Sequence, residues 1–198
     1  MSHFDKRADG WDKGDAQVNG AKIIANAIRN RVALTPQMEV MDFGTGTGLL
    51  GFDIATSVKK VYGVDTSKEM LKKLQEKNTP KLSIDVCRQD IVKEPIERIF
   101  DGLVSSMTLH HIENLRDFFT AIHKNLKEKG FIAIADLRSE DGTFHSDNAG
   151  VFHFGFEEKE LRVALEECGF DNVSYETINV IKKPHREFGV FLLTANKK

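Results

Sequence analysis

The chain has 198 residues, with 28 Lys plus Arg against 30 Asp plus Glu and a formal charge of −2. That balance argues against a protein that holds nucleic acid through a broad basic face, and 40% apolar with 29% charged residues suits a globular domain rather than a disordered chain. Only two cysteines, Cys87 and Cys168, occur, with no CxxC spacing, so neither a disulfide scaffold nor a structural zinc site is expected.

No stretch approaches the ~20 apolar residues of a membrane span. The first fifteen residues are charged rather than apolar, so no secretory signal is expected and the location predicted is the cytoplasm. A chain of this length buries roughly 70% of its unfolded surface and needs no metal or disulfide to fold.

In chain order, Met1 to Asp15 is polar but carries Phe4 and Trp11, and is expected to act as a mobile or capping arm. Ala16 to Leu34 places Val18, Ala21, Ile24, Ala25, Ile28 and Val32 three and four apart, an amphipathic helix closed by Thr35-Pro36. Val40 to Phe43 is a short apolar strand running into glycines, and Leu49 to Val58 reads as a helix. Val61 to Asp65 is a second strand. Thr66-Ser67 caps a helix through Lys77 with Met70, Leu71 and Leu74 on one face. Leu82 to Cys87 and Phe100 to Met107 are the third and fourth strands, and a helix lies around Leu115 to Leu126. Gly130 is expected to end that helix, and Phe131 to Ala135 to form the fifth strand. Glu157 to Cys168 is helical and stops at Gly169. Val173 to Ile181 and Phe188 to Thr194, separated by Lys182 to Arg186, suit an antiparallel pair because no helix intervenes.

Five strands alternating with helices imply a doubly wound α/β sheet, parallel except for that terminal pair. Such sheets bind ligands at the carboxyl ends of their strands. There, Asp42-Phe43-Gly44-Thr45-Gly46-Thr47-Gly48 lets the backbone turn tightly and approach a ligand, and the next helix offers N–H groups to an anion. Gly46, Gly48 and Gly51 also satisfy GxGxxG, which keeps a dinucleotide in play. Asp65, about twenty residues on, can accept both hydroxyls of a ribose or merely cap the helix after it. Asp90 can accept an adenine N–H with Ile91 on the ring, or act as a cap itself. Together Asp42, Asp65 and Asp90 line successive loops, with no Lys or Arg in the glycine loop. Three carboxylates suit a cationic cofactor without phosphate.

The stretch from Val40 to about Leu137 resembles the class I S-adenosylmethionine-dependent methyltransferases. VMDFGTGTGLL, VYGVDTSKEML, CRQDI, FDGLVSSMTLHHIEN and LKEKGFIAIADL stand in that family's order and spacing. The resemblance implies a Rossmann-like seven-stranded sheet in the order 3-2-1-4-5-7-6 with strand 7 antiparallel, an arm and cap helix over residues 1–35 and a methyltransferase domain over 36–198. It places Gly44, Gly46 and Gly48 around the methionine part of S-adenosyl-L-methionine, Asp65 on the ribose and Asp90 with Ile91 on adenine. Asp42, Thr45, Thr66, Gln89, Ser106 and Met107 complete the implied cofactor set. FDKRADGWD near the start and HFGF before the last helix look like the small-molecule branch, which includes the ubiquinone and menaquinone C-methyltransferases. Ser106-Met107-Thr108-Leu109 departs from the Asn/Asp-Pro-Pro-Tyr/Phe motif of members that methylate amino groups of DNA or glutamine.

In the loop after the fourth strand, His110 and His111 lie where the family places the transferring methyl. Either can serve as a base, or merely anchor the loop. A metal site is not expected, since adjacent histidines seldom converge on one ion and no carboxylate partner is evident. The loop Asp136 to Phe156 holds Phe144, His145, Phe152, His153, Phe154 and Phe156, a substrate wall or a packed cover. Phe4, Trp11, Phe144, His145 and His153 are the candidate acceptor contacts, and Cys87 and Cys168 read as core filler. The expected activity is methyl transfer to an O, S or C atom of a small molecule, with no nucleic-acid partner. Two alternatives stand beside it. One is an NAD(P)-dependent oxidoreductase, although neither Tyr62 nor Tyr175 begins a Tyr-x-x-x-Lys pair. The other is a non-catalytic cofactor-binding partner subunit.

Overall fold

The computed structural model describes residues 4–184 and 186–198. Met1 to His3 of the predicted arm and His185 of the predicted hairpin turn lie outside them. Seven strands, β1 (Glu39–Phe43), β2 (Lys60–Asp65), β3 (Ile84–Arg88), β4 (Phe100–Ser106), β5 (Leu126–Leu137), β6 (Phe170–Lys183) and β7 (Arg186–Lys197), form one sheet. Their order is β3-β2-β1-β4-β5-β7-β6. β3, β2, β1, β4 and β5 run parallel, and β7 is antiparallel to both neighbours. The order expected from the resemblance is the order found.

Helices α1 (Asp15–Arg31), α2 (Leu49–Ala55) and α3 (Lys68–Lys77) cover one face, and α4 (Leu115–Lys124) and α5 (Glu158–Glu167) the other. The central strands read as unbroken apolar runs because both their faces are covered. In β5, Ala133 and Ala135 face Ile28 and Ile54, while Ile132 and Ile134 face Phe118 and Leu165 across the sheet. Burying such a side chain contributes about 1.5–3 kcal/mol, so these two layers are what hold the strand ends in register. Ser67 Oγ accepts from Met70 N to start α3, and Asn114 Oδ1 accepts from Arg116 N and Asp117 N to start α4.

Several predicted boundaries move; the third strand runs Ile84–Arg88, and the last two extend at both ends, to Phe170–Lys183 and Arg186–Lys197. The first helix ends at Arg31 because Val32 is already extended (φ −116°, ψ 125°), and α2 stops at Ala55, three residues short of Val58. β5 begins at Leu126 rather than Phe131, and Gly130 lies within it instead of ending α4, whose C-cap is Asn125. The pairing with β4 jumps from Leu126 to Phe131, so Lys127 to Gly130 bulge outward, with Lys129 taking the left-handed turn at φ 60°. A charged bulge breaks the alternation that identifies a strand.

The arm forms a 3₁₀ segment, Asp5–Lys13, with Ala8 buried. Asp9 pairs with Lys73 and Asp12 with Lys77, so the arm lies along α3. Exposed pairs of this kind contribute little singly. Their placement matters because it carries the arm across the carboxyl ends of β1 and β2.

Candidate active site

β1 delivers its backbone into the glycine turn, where Gly44 N and Thr45 N donate to Val64 O at 2.8 and 3.1 Å. Gly44 has φ +67°, and a Cβ there would stand 2.3 Å from the Thr108 side chain. Gly46 has φ +53° with nothing within 4 Å of where its Cβ would be. One glycine lets two loops pack, and the other leaves a bare backbone edge.

Asp42 and Asp65 flank that edge. Asp42 is buried and accepts from Thr45 Oγ1 at 2.6 Å. Burial pushes its carboxyl up to about 7, the Thr45 hydroxyl opposes this, and the Asp65 charge adds to it. Asp65 accepts from Gly46 N and Ser67 N, each at 2.8 Å, and burial also raises its carboxyl above the usual range. It therefore ties the glycine loop to the start of α3. The other predicted cofactor residues separate. Asp90 caps its own turn through Val92 N (3.2 Å) and pairs with Lys93, while Ile91 is buried in the core. The Gln89 amide donates to the carbonyls of Glu94 and Pro95, and the exposed Thr66 offers its carbonyl to Arg88. Ser106 ends β4 and Met107 follows it at φ 54° with its N–H on Ala135 O.

The two histidines lie beyond the end of β4, whose last residue, Ser106, pairs with Ala135 of β5. Past that pair, His110, in the 3₁₀ turn Leu109–His111 after β4, meets Asp136 of β5. His110 Nδ1 lies 2.7 Å from Asp136 Oδ1, and His110 N donates to Asp136 Oδ2 at 3.2 Å. Leu137 N donates to Asp136 Oδ1 at 2.7 Å. Both side chains are buried, and His110 Nε2 is buried without a partner. An acceptor-only carboxylate on Nδ1 fixes the proton there and leaves the Nε2 lone pair facing inward.

Rings continue outward from His110. His111 lies 4.1 Å from it and Phe4 5.0 Å from His111, with Trp11 behind at 6.3 Å from Phe4. On the other side His145 stands 5.0 Å from His110 and Phe144 4.8 Å from His145. Four of the predicted acceptor contacts thus join one belt with both histidines. His153 does not join it: its Nε2 sits 2.9 Å from Ile112 O, and its ring packs on Phe156. Within the long loop, Phe156 is buried in the core while Phe152 and Phe154 are exposed.

Sequence reasoning missed Asp136, whose signal was a lone carboxylate closing the apolar run Phe131 to Ala135. It also missed the hold of the arm on the glycine loop and the start of α3. Asp5 accepts from Ser67 Oγ at 2.7 Å and Asp12 from Thr47 Oγ1 at 2.5 Å.

A methyltransferase domain profile matches residues 34–151, the stretch that contains the glycine loop, Asp65, Asp90 and the two histidines. The chain belongs to the methyltransferase domain family. This methyltransferase is 32% identical over 136 residues to an uncharacterised methyltransferase of Schizosaccharomyces pombe, the match covering 60% of the chain and 48% of that relative. It is 28% identical to an uncharacterised methyltransferase of a Geobacillus strain over 98% of the chain and 87% of the relative. Among solved structures, the complex of DhpI with S-adenosylhomocysteine superposes with a TM-score of 0.76 at 17% identity, covering 98% of the chain and 92% of DhpI. The family is one of methyltransferases and the fold is that of DhpI in its complex with S-adenosylhomocysteine, which decides against the nicotinamide alternative.

The residues present fit S-adenosylmethionine as cofactor. Two carboxylates, Asp42 buried and Asp65 half-buried, each raised by desolvation and Asp42 raised further by Asp65, are stabilised by a cation, which a sulfonium supplies and a pyrophosphate does not. The bare edge at Gly46 gives it room. Among the described residues no group of three or more His, Cys, Asp or Glu is arranged to hold a metal ion. None of the helices described is long and apolar enough to cross a membrane.

Proposed function

We propose that this methyltransferase methylates an oxygen of a small molecule, with His110 as general base and Asp136 as the group that orients it. One observation carries the reading: a buried Asp136–His110 pair whose outer nitrogen, Nε2, is buried and unpartnered at the carboxyl ends of β4 and β5.

S-adenosylmethionine, when bound, supplies an electrophilic methyl group with a neutral leaving group. The chain supplies position and a place for the proton. Gly46 and Asp65 hold the cofactor side, with Asp42 beneath them, and Ser106 and Met107 join that side to the acceptor side. An acceptor hydroxyl donates its hydrogen bond to His110 Nε2. As the proton moves to Nε2, the oxygen gains the electron pair that attacks, and Asp136 stabilises the imidazolium that forms. The ring belt from Trp11 to Phe144 keeps water from competing. A macromolecular acceptor fits less well, because the arm and the long loop close over the histidines from both sides. The likeness to the ubiquinone and menaquinone branch is compatible: loss of a phenolic proton enriches the oxygen and the adjacent ring carbon alike.

The test is transfer from S-adenosylmethionine labelled in the methyl group to a panel of hydroxylated small molecules, comparing wild type with His110→Ala. Label on oxygen, lost by about 10²–10⁴-fold in the variant at unchanged cofactor affinity, supports the reading. Label on carbon, nitrogen or sulfur only, or equal transfer by the variant, refutes it.

A further inference from the structure

A cavity of about 340 Å³ opens at the end of the sheet away from the glycine loop and the histidines, beneath the end of α1, where β1, β4 and β5 begin and β7 ends. Its volume falls at the small end of the range of small-molecule sites. Phe131 of β5 forms the floor. A Cβ at Gly102, its partner on β4, would stand 2.1 Å from the Phe131 ring, so glycine there is what lets the ring lie over the neighbouring strand. Val32 and Met38 wall the apolar side. Thr194 and Asn196 line the polar side, two apart on β7 and therefore on one face of it.

The rim carries a strained residue. In the bulge Lys127 to Gly130 it is Lys129 that takes the left-handed φ of 60°. The glycine stands one residue later at an ordinary φ, where a Cβ would meet Lys127 O at 2.8 Å. A lysine in that conformation costs stability that a glycine would not, so its side chain is kept for something other than the turn. The other charges of the rim are neutralised, Lys127 by Asp101 at 2.6 Å, Glu128 by Lys197 at 3.2 Å and Arg31 by Glu176 at 2.5 Å. Among the described residues Lys129 has no carboxylate partner.

From the cavity, its apolar floor and its one uncompensated cation we propose a second binding site, for a small organic monocarboxylate with an apolar body. One spare positive charge matches one negative charge, whereas a phosphate dianion would meet Asp101 and Glu128 on the same rim. Asn196 Nδ2 donates to Lys129 O at 3.4 Å, which sets its amide beside the lysine as a further donor to the carboxylate. The body rests on Phe131 between Val32 and Met38. The site lies at the other ends of β4 and β5 from His110 and Asp136, so it stands whether or not His110 is the base.

The experiment is calorimetry with hexanoate, 3-phenylpropionate, 3-phenylpropionamide and inorganic phosphate, on wild type and Lys129→Gly, each with and without S-adenosylhomocysteine. At least one of the carboxylates is expected to bind about tenfold or more tightly than the amide and the phosphate, and equally well with the active site loaded. Lys129→Gly is expected to weaken that carboxylate about tenfold or more, the effect of one hydrogen bond to a charged group, and to leave the amide unchanged. The same variant should melt higher, since glycine accepts the left-handed turn. Backbone amide spectra of the wild type, which need no variant, should shift at Phe131, Thr194 and Asn196 and not at His110 or His145. Binding by neither carboxylate, an amide as tight as the acid, affinity that survives Lys129→Gly, a lower melting temperature for that variant, or shifts confined to the histidines would overturn the proposal.

Discussion

Asp136→Asn is the perturbation that most sharply separates a catalytic pair from a structural one. Asp136 is fully buried and accepts from three donors: His110 Nδ1 at 2.7 Å, Leu137 N at 2.7 Å and His110 N at 3.2 Å. An amide has one acceptor oxygen and cannot serve both sides. With the amide nitrogen toward His110 N, two donors face each other and the negative charge that stabilises the imidazolium is gone. In the flipped orientation, that nitrogen faces Leu137 N and His110 Nδ1, and the ring is driven to the tautomer whose Nε2 carries the proton. Either way Nε2 loses strength as a base, and kcat is expected to fall by about 10²–10⁴-fold. One hydrogen bond to a charged group is worth about 1.5–3 kcal/mol, so the variant should also melt on the order of 3–12 °C lower. The assay is turnover from pH 6 to 9 beside a melting curve and a cofactor titration. If the melting temperature drops while turnover stays within about threefold at every pH, Asp136 merely anchors the loop and the base assignment is wrong.

Other residues give separate expectations. Asp65→Ala should weaken S-adenosylmethionine binding by about 1.5–3 kcal/mol per charged hydrogen bond lost, and should also lower the melting temperature, because Asp65 ties Gly46 N to Ser67 N; calorimetry with an unaltered binding constant would count against the ribose role. For Asp42, the folded carboxyl at about 7 lies above its ordinary 3.8, so the stability tied to its proton is present below pH 3.8 and is lost as pH rises through 7. Asp42→Asn should therefore stabilise the cofactor-free protein by up to about 4 kcal/mol at pH 8 and not at pH 4, which denaturant melts at the two pH values will check. Gly46→Ala should cost only about 1–2 kcal/mol of stability, from its φ of +53°, yet abolish tight cofactor binding, since its Cβ would stand on the open edge; retained affinity would move the cofactor elsewhere.

Much of the fold was legible because its rules are local. Apolar runs ending in glycine or aspartate marked β1 and β2, and Ser67 announced α3 as a cap. Gly44, Gly46 and Asp65 could be read for the same reason: each sits at the end of a strand whose sequence declares it. What escaped depends on pairs distant in the chain. Asp136 lies 26 residues beyond His110, and only the register Ser106 opposite Ala135 brings them together. His153 looked equivalent to His145 in a loop rich in aromatics, yet its nitrogen is taken by the Ile112 carbonyl, a contact that no local pattern announces. Gly130 misled because a charged bulge, Lys127 to Lys129, mimics the end of a helix when the neighbouring strand is out of sight.

The most direct measurement is the turnover of wild type and His110→Ala across phenolic acceptors of graded acidity, at one pH and saturating S-adenosylmethionine. With His110 Nε2 as the acceptor of the proton, the loss should be about 10²–10⁴-fold for weakly acidic phenols and should shrink toward none for phenols already ionised at the assay pH. An equal loss for every acceptor would show that His110 only shapes the pocket, and no loss for any of them would remove it from the chemistry.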